Sequence, residues 1–235
     1  MPAEDRNVQS SLNFKNEVAE MKRKYLLVMI LLMLSSTTFS QSGWFWLNPL
    51  PTGSSLSSVY FADIYTGWVI GGAGTILKTT NTGITWTAQS SGATYWLSSM
   101  YYADINIGWA VGQGGTILKT TNSGINWILQ SSGTTGSLSS ICFADNNTGW
   151  IAEASGTILK TTNGGTNWIP QSCGTTSLLF SICFADNNTG WIAGESGTIL
   201  KTTNGGTNWI PQSSGTANEK ESIYLTEKST GWNVC

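Results

Sequence analysis

The chain has 235 residues, no histidine, and 11 basic residues against 13 acidic ones. Without histidine it lacks the usual general base of Ser-His and Cys-His catalysis and the commonest zinc ligand. Without a basic patch it lacks the electrostatic footprint of a nucleic-acid binder.

The first element is a targeting segment. Residues 22–24 read Lys-Arg-Lys, an apolar run fills 25–34, and a small polar stretch ends at Thr38-Phe39-Ser40. Basic, apolar and small-polar regions in that order predict a secretory signal peptide over 21–40, cleaved before Gln41. The apolar run is too short to cross a bilayer, which takes about 20 residues. Stable membrane insertion after cleavage is therefore not expected, and the mature protein is expected to be secreted, periplasmic or held at the cell surface. Residues 1–20 read as a non-native or disordered upstream extension. The repeat domain is expected to fill residues 41–235, with both arginines, Arg6 and Arg23, lying before it.

Next comes a repeat. Residues 197–209 spell GTILKTTNGGTNW, residues 156–168 are identical, and 115–127 and 74–86 are close variants. Their last residues, Trp86, Trp127, Trp168 and Trp209, stand 41 apart. A Gly-Trp pair keeps the same period at Trp68, Trp109, Trp150, Trp191 and Trp232. A fixed period of this length decides the architecture before any local feature does.

Within the first copy four β-rich runs follow one another, at 56–62, 68–72, 75–79 and 84–89. Turn-forming Gly, Asn, Asp and Ser separate them, which predicts an antiparallel meander. No helical period competes. One such sheet is apolar on both faces and cannot bury itself, so the sheets must stack. Radial stacking predicts an all-β fold, a β-propeller of four-stranded blades. Four full blades are expected, plus a partial fifth over 210–235 that supplies strands at 222–225 and 231–234 only. Residues 44–48 (WFWLN) are expected to form an outer strand with no partner of their own blade before them. The chain reads as truncated.

The motif itself is turn chemistry. The asparagine is expected to accept a hydrogen bond from the N–H two residues on, as in an Asx-turn. The glycine two places later takes a positive φ freely, and the tryptophan beyond it is expected to turn inward. The positions are Thr79, Asn81, Gly83 and Trp86; Thr120, Asn122, Gly124 and Trp127; Thr161, Asn163, Gly165 and Trp168; and Thr202, Asn204, Gly206 and Trp209.

This spacing, Thr-x-Asn-x-Gly-x-x-Trp, resembles the Asp-box of the bacterial neuraminidase repeat. The longer string over 67–86 (GWVIGGAGTILKTTNTGITW) more closely resembles the photosystem II stability/assembly factor-like repeat, across essentially all of 44–235. The neuraminidase resemblance implies an arginine triad gripping a carboxylate, and residues 41–235 contain no arginine. Lysine cannot reproduce the bidentate fork, which excludes sialidase chemistry. The assembly-factor resemblance implies an arginine-rich patch for a client protein, which this chain also lacks.

A two-carboxylate glycosidase is the enzyme reading the residues leave open. Its candidates, Asp63, Asp104, Asp145, Asp186 and Glu227, share one repeat position and read better as turn caps. Glu153 and Glu195 break the repeat and are the expected ligand surface. Lys78, Lys119, Lys160 and Lys201 recur once per blade and are expected to cover apolar surface while the ammonium stays in water. Cys142 and Cys183 stand where other copies carry tyrosine, which reads as packed space holding buried thiols. No catalytic residue, cofactor or metal is assigned. The expected function is a non-enzymatic binding or scaffold module for a protein or glycan. The alternatives are a carbohydrate-active hydrolase and a photosystem II assembly chaperone.

Overall fold

The computed structural model describes residues 52–227 and 230–234, all within one compact unit, Leu47–Cys235. Each repeat folds as a four-stranded antiparallel sheet whose strands lie in chain order. Blade 1 holds β1 (Leu56–Phe61), β2 (Gly67–Gly71), β3 (Ile76–Thr79) and β4 (Thr87–Gln89). Blade 2 holds β5 (Leu97–Tyr102), β6 (Gly108–Gly112), β7 (Ile117–Thr120) and β8 (Ile128–Gln130). Blade 3 holds β9 (Leu138–Phe143), β10 (Gly149–Glu153), β11 (Thr157–Thr161) and β12 (Ile169–Ser172). Blade 4 holds β13 (Leu179–Phe184), β14 (Gly190–Gly194), β15 (Ile199–Thr202) and β16 (Ile210–Pro211). A two-stranded fifth sheet follows, β17 (Ser222–Glu227) with β18 (Thr230–Val234). The all-β, multi-blade architecture and the partial fifth blade are those the 41-residue period predicts.

First strands lie side by side from blade to blade, stitched by serines. Ser57 Oγ donates to Leu97 O at 2.5 Å and Ser139 Oγ donates to Leu179 O at 2.5 Å. In return Ser140 Oγ and Ser181 Oγ accept the N–H groups of Ile182 and Ile223, each at 3.2 Å. The serines of the Leu-Ser-Ser runs, and Ser181 of Leu179-Phe180-Ser181, are therefore inter-blade connectors.

The second strands of the four full blades are buried along their whole length, which explains their unbroken apolar spelling. Trp68, Trp109 and Trp150 are fully buried between blades. Each core cluster straddles a junction: Trp68, Ile70 and Ile76 of blade 1 meet Leu97, Met100 and Tyr102 of blade 2. The Gly of each Gly-Trp pair allows a close approach. A Cβ on Gly108 would sit 2.5 Å from the Tyr102 ring, and one on Gly149 would sit 2.6 Å from the Phe143 ring.

Blade 4 is covered by the fifth sheet, where Ile223 joins Trp191 and Ala193. At the other end, Val59 and Phe61 are 60% and 45% exposed, while their equivalents Met100 and Tyr102 are 7% and 1% exposed. No described residue covers that face of blade 1. The expected strand at 44–48, the segment 1–40 and Cys235 lie outside the described residues.

One element differs from the sequence reading. The fourth strand begins at Thr87 rather than at residue 84, because the intervening residues belong to the turn that carries the motif.

Candidate functional site

The repeated motif closes the turn between third and fourth strands, by bonds other than a simple Asx-turn. Thr79 Oγ1 donates to Asn81 Oδ1 at 3.0 Å and accepts from Gly83 N–H at 3.0 Å. Asn81 Oδ1 in turn accepts from Thr85 N–H at 2.9 Å. The asparagine thus reaches four residues on, not two, because the threonine hydroxyl has already taken the glycine N–H. The same bonds recur at Thr120 with Asn122, Thr161 with Asn163, and Thr202 with Asn204.

Two successive residues in the left-handed region turn the chain back: Thr82 and Gly83 in blade 1, Gly205 and Gly206 in blade 4. Gly83, Gly124, Gly165 and Gly206 have φ between 82° and 86°. Packing adds a second reason for glycine, since a Cβ on Gly206 would lie 2.9 Å from Gln171 Oε1. The motif tryptophan stands edge-on to the aromatic ending its own blade's first strand. Trp86 meets Phe61, Trp127 meets Tyr102, Trp168 meets Phe143 and Trp209 meets Phe184. Trp168 is buried, and the other three are half-buried.

The aspartates cap the turn after the first strand. Asp63 Oδ1 accepts the N–H groups of Tyr65 and Thr66 at 2.7 and 2.6 Å, and Asp104, Asp145 and Asp186 do the same. The N–H groups of Thr148 and Asn147 and the Asn187 amide hold the Asp145 carboxyl below its ordinary range.

The lysines depart from expectation. Their ammonium groups are not simply solvated: Lys119 Nζ and Lys160 Nζ donate at 2.7 Å to the carbonyls of Gly164 and Gly205, in the next blade's motif turn. Lys78 reaches Ser123 O at 2.9 Å. Each also lies 5.2–5.3 Å from the centre of a second-strand tryptophan. Burial of the three ammonium groups pulls their pKa values down. Lys201 lies over Trp191 in the same way.

Glu153, expected on a ligand surface, is 5% exposed and accepts from Thr134 Oγ1 at 2.8 Å. Its carboxylate fills space that a side chain on Gly136 would need, a Cβ there lying 1.6 Å from Oε1. The repeat break is a paired packing exchange between residues 136 and 153. Glu195 is half-buried in a single 3-10 turn, Glu195–Gly197. Cys142 and Cys173 are buried free thiols and Cys183 is half-buried. Cys173 Sγ donates to Gly156 O, as Ser91 Oγ does to Gly74 O. Among the described residues no group of three or more His, Cys, Asp or Glu side chains is placed to hold a metal.

What remains is the face carrying the turns between second and third strands and the loops between blades. There a groove of about 790 Å³ crosses blade 2, lined by residues 92–95, 114–116 and 129–135. Four of its residues are peculiar to blade 2, one of them Ala93 in place of Thr52, Thr134 and Thr175. Tyr95 replaces Ser54, Gly136 and Ser177; Gly114 replaces Ala73, Ser155 and Ser196; Leu129 replaces Ala88, Pro170 and Pro211. They fit each other: a Cβ on Gly114 would lie 3.1 Å from the Tyr95 ring. Tyr95 and Leu129 are 57% and 68% exposed. The aromatic and the leucine are visible in the sequence, but only the fold shows that one groove joins them.

The sequence matches the family described as Photosynthesis system II assembly factor YCF48 over residues 37–170 and 126–213, more than half of the chain. The chain belongs to this family. No curated protein matches the sequence. Among solved structures, the WD40 β-propeller domain of Doa1 aligns with TM-score 0.62 at 13% identity, covering 77% of this chain and 62% of that one. An ancestral GH74 enzyme aligns with TM-score 0.58 at 22% identity, covering 71% of this chain and 25% of that one. YCF48 bound to D1 peptide aligns with TM-score 0.47 at 18% identity, covering 78% and 89%. At these identities the likenesses to the WD40 domain and the GH74 enzyme speak for the propeller fold alone.

Proposed function

We propose that the protein is an exported, non-enzymatic binding or scaffold module that holds a protein partner on the loop face of its propeller. One observation carries this reading. The aspartates, threonines and asparagines that recur in every full blade are engaged in the fold, whereas Tyr95, Gly114 and Leu129 depart from the repeat together and line one groove. The aspartates bond turn amides, the threonines and asparagines bond each other, and Lys78, Lys119 and Lys160 bond the next blade. Family membership supports a protein client, since the family is described as an assembly factor. The arginine-rich patch implied for such a client is missing, so recognition here rests on neutral and aromatic groups.

The test has two arms run on one preparation: crosslinking and co-purification from the cell envelope, and a hydrolysis screen on β-glucans. A saturable protein partner without release of reducing ends is the expected result. Turnover of a glucan without a protein partner would move the protein to the carbohydrate-active enzymes. Export is tested separately by N-terminal sequencing of the mature protein, expected to begin at Gln41. Among the described residues no helix is long and apolar enough to cross a membrane.

A further inference from the structure

Resting on the reading of a protein-binding module, we propose that the outer edge of blade 2 takes up an extended, uncharged segment of the partner. The segment adds a strand beside β8 and runs on into the groove under Tyr95.

Blades 3 and 4 each carry a proline on the outer strand, Pro170 and Pro211. Gln212 N–H donates to Ile199 O at 2.8 Å, while Pro211 pairs opposite Leu200. In an antiparallel ladder bonded and non-bonded pairs alternate, so the residue at 211 turns its N and C=O away from the sheet. Proline loses no ladder bond there, and it seals the edge against further pairing. Pro170 stands in the same register opposite Leu159 and seals blade 3. Leu129 occupies that register in blade 2, opposite Leu118. Its N–H and C=O therefore face outward, available to a new strand.

The surroundings define the guest. Leu129 is 68% exposed and offers an apolar side chain at the register where blades 3 and 4 carry proline. Where β8 ends, the groove begins, and its lining holds only Gly, Ala, Thr, Tyr, Leu, Gln and Ser. No carboxylate or ammonium lines it, so a charged segment would lose solvation there without gaining a partner. Main-chain pairing along the edge, with alternate side chains taken by the groove, is the strand-addition mode of peptide recognition. Blade 1 also lacks the proline, carrying Ala88, but it has neither the leucine nor the tyrosine. A second copy of the chain fits less well, because β8 paired with β8 of a copy would leave the groove beside it unfilled.

Peptides selected from a display library of short linear sequences serve as the probe, with binding read by fluorescence anisotropy. The variants are Leu129→Pro, which copies the residue blades 3 and 4 carry, and Ala88→Pro, which seals blade 1 instead. Expected are parent-like melting for both, affinity within about twofold of the parent for Ala88→Pro, and a loss of at least about tenfold for Leu129→Pro. Hydrogen exchange at the Leu129 amide should slow when peptide is bound. If Leu129→Pro fails to fold, Leu129→Lys replaces it, because an edge lysine keeps the ladder and opposes pairing. Unchanged affinity in the folded edge variant overturns the proposal and leaves the protein-binding reading standing. Protection of Leu129 that requires dimerisation, seen by sedimentation, overturns it in favour of a second copy. Selection of no peptide together with glucan turnover overturns both readings.

Discussion

Trp150 lies flat on Phe184, the ring centroids 3.5 Å apart and the planes 5° from parallel. The two residues belong to different blades, and their stack is one layer of a longer series. Lys160 lies over Trp150, 5.3 Å from the ring centre, and Trp209 stands edge-on to Phe184. The series recurs at Lys119, Trp109, Phe143 and Trp168, and at Lys78, Trp68, Tyr102 and Trp127. Each junction between full blades thus joins a cation, a stacked aromatic pair and the tryptophan of the turn motif.

Removing the stacked ring should therefore loosen a whole junction. Trp150→Ala is expected to cost about 3–5 kcal/mol, the range for truncating a large buried aromatic. Chemical denaturation followed by far-UV circular dichroism checks this. A loss under about 1 kcal/mol would show that the junction is held elsewhere.

The turn glycines separate two physical effects. Gly206 and Gly215 have φ of 85° and 71°, but a Cβ meets Gln171 Oε1 and Trp150 Nε1 at Gly206 and nothing within 4 Å at Gly215. Both alanine variants should pay the left-handed backbone term of about 1–2 kcal/mol. Gly206→Ala should lose roughly a further 1 kcal/mol from crowding. Equal losses in paired denaturation curves would remove packing from the account of this position.

Much of the fold was legible because its determinants repeat. The 41-residue period, the Gly-Trp pairs and the turn glycines each state a local need that the structure meets. The bonding inside the turn was not legible, since Thr79 and Asn81 compete for the same amides and only the doubled-back chain at Thr82 and Gly83 decides between them. The partners of the lysines are hidden for a similar reason: the carbonyl that Lys160 reaches lies 45 residues away, in a neighbour that only stacking brings near. Glu153 looked like surface because nothing in its own repeat announces the space left by Gly136. For the groove, the sequence shows that Tyr95 and Leu129 are unusual but not that they meet.

Acid should expose the turn caps. The bonds from Thr148, Asn147 and Asn187 hold the Asp145 carboxyl below its ordinary value in the folded protein. A depressed carboxyl contributes stability above its unfolded pKa of 3.8 and loses it as pH falls through the lower folded value. Asp145→Asn should thus be less stable than the parent near neutrality, and the gap should close as the solution becomes more acid than the folded pKa. Melting temperatures of both proteins across that range provide the check. A gap that stays constant with pH would mean that the carboxylate charge contributes nothing.

The cysteines should be chemically quiet. Burial pushes the Cys142 thiol up to about 11, and burial with the neighbouring Cys142 pushes Cys183 up to about 12. Iodoacetamide should label both slowly in the native protein at mildly alkaline pH and quickly once denatured, because the thiolate is the nucleophile. These raised values also make alkali destabilising: above the unfolded value of 9.0 the denatured chain releases protons that the folded one keeps. Rapid native labelling of Cys142, read by mass spectrometry, would contradict its placement in the junction of blades 3 and 4.

The central claim is that repeated residues hold the fold and that function resides where blade 2 departs from the repeat. Binding of the co-purified partner, measured beside thermal melting for Trp168→Ala and Tyr95→Ser, tests it most directly. Trp168→Ala is expected to melt well below the parent, with its remaining folded fraction still binding. Tyr95→Ser is expected to melt like the parent and to bind at least about tenfold more weakly. Parent-like melting with lost binding in Trp168→Ala, and full binding in Tyr95→Ser, would contradict the account.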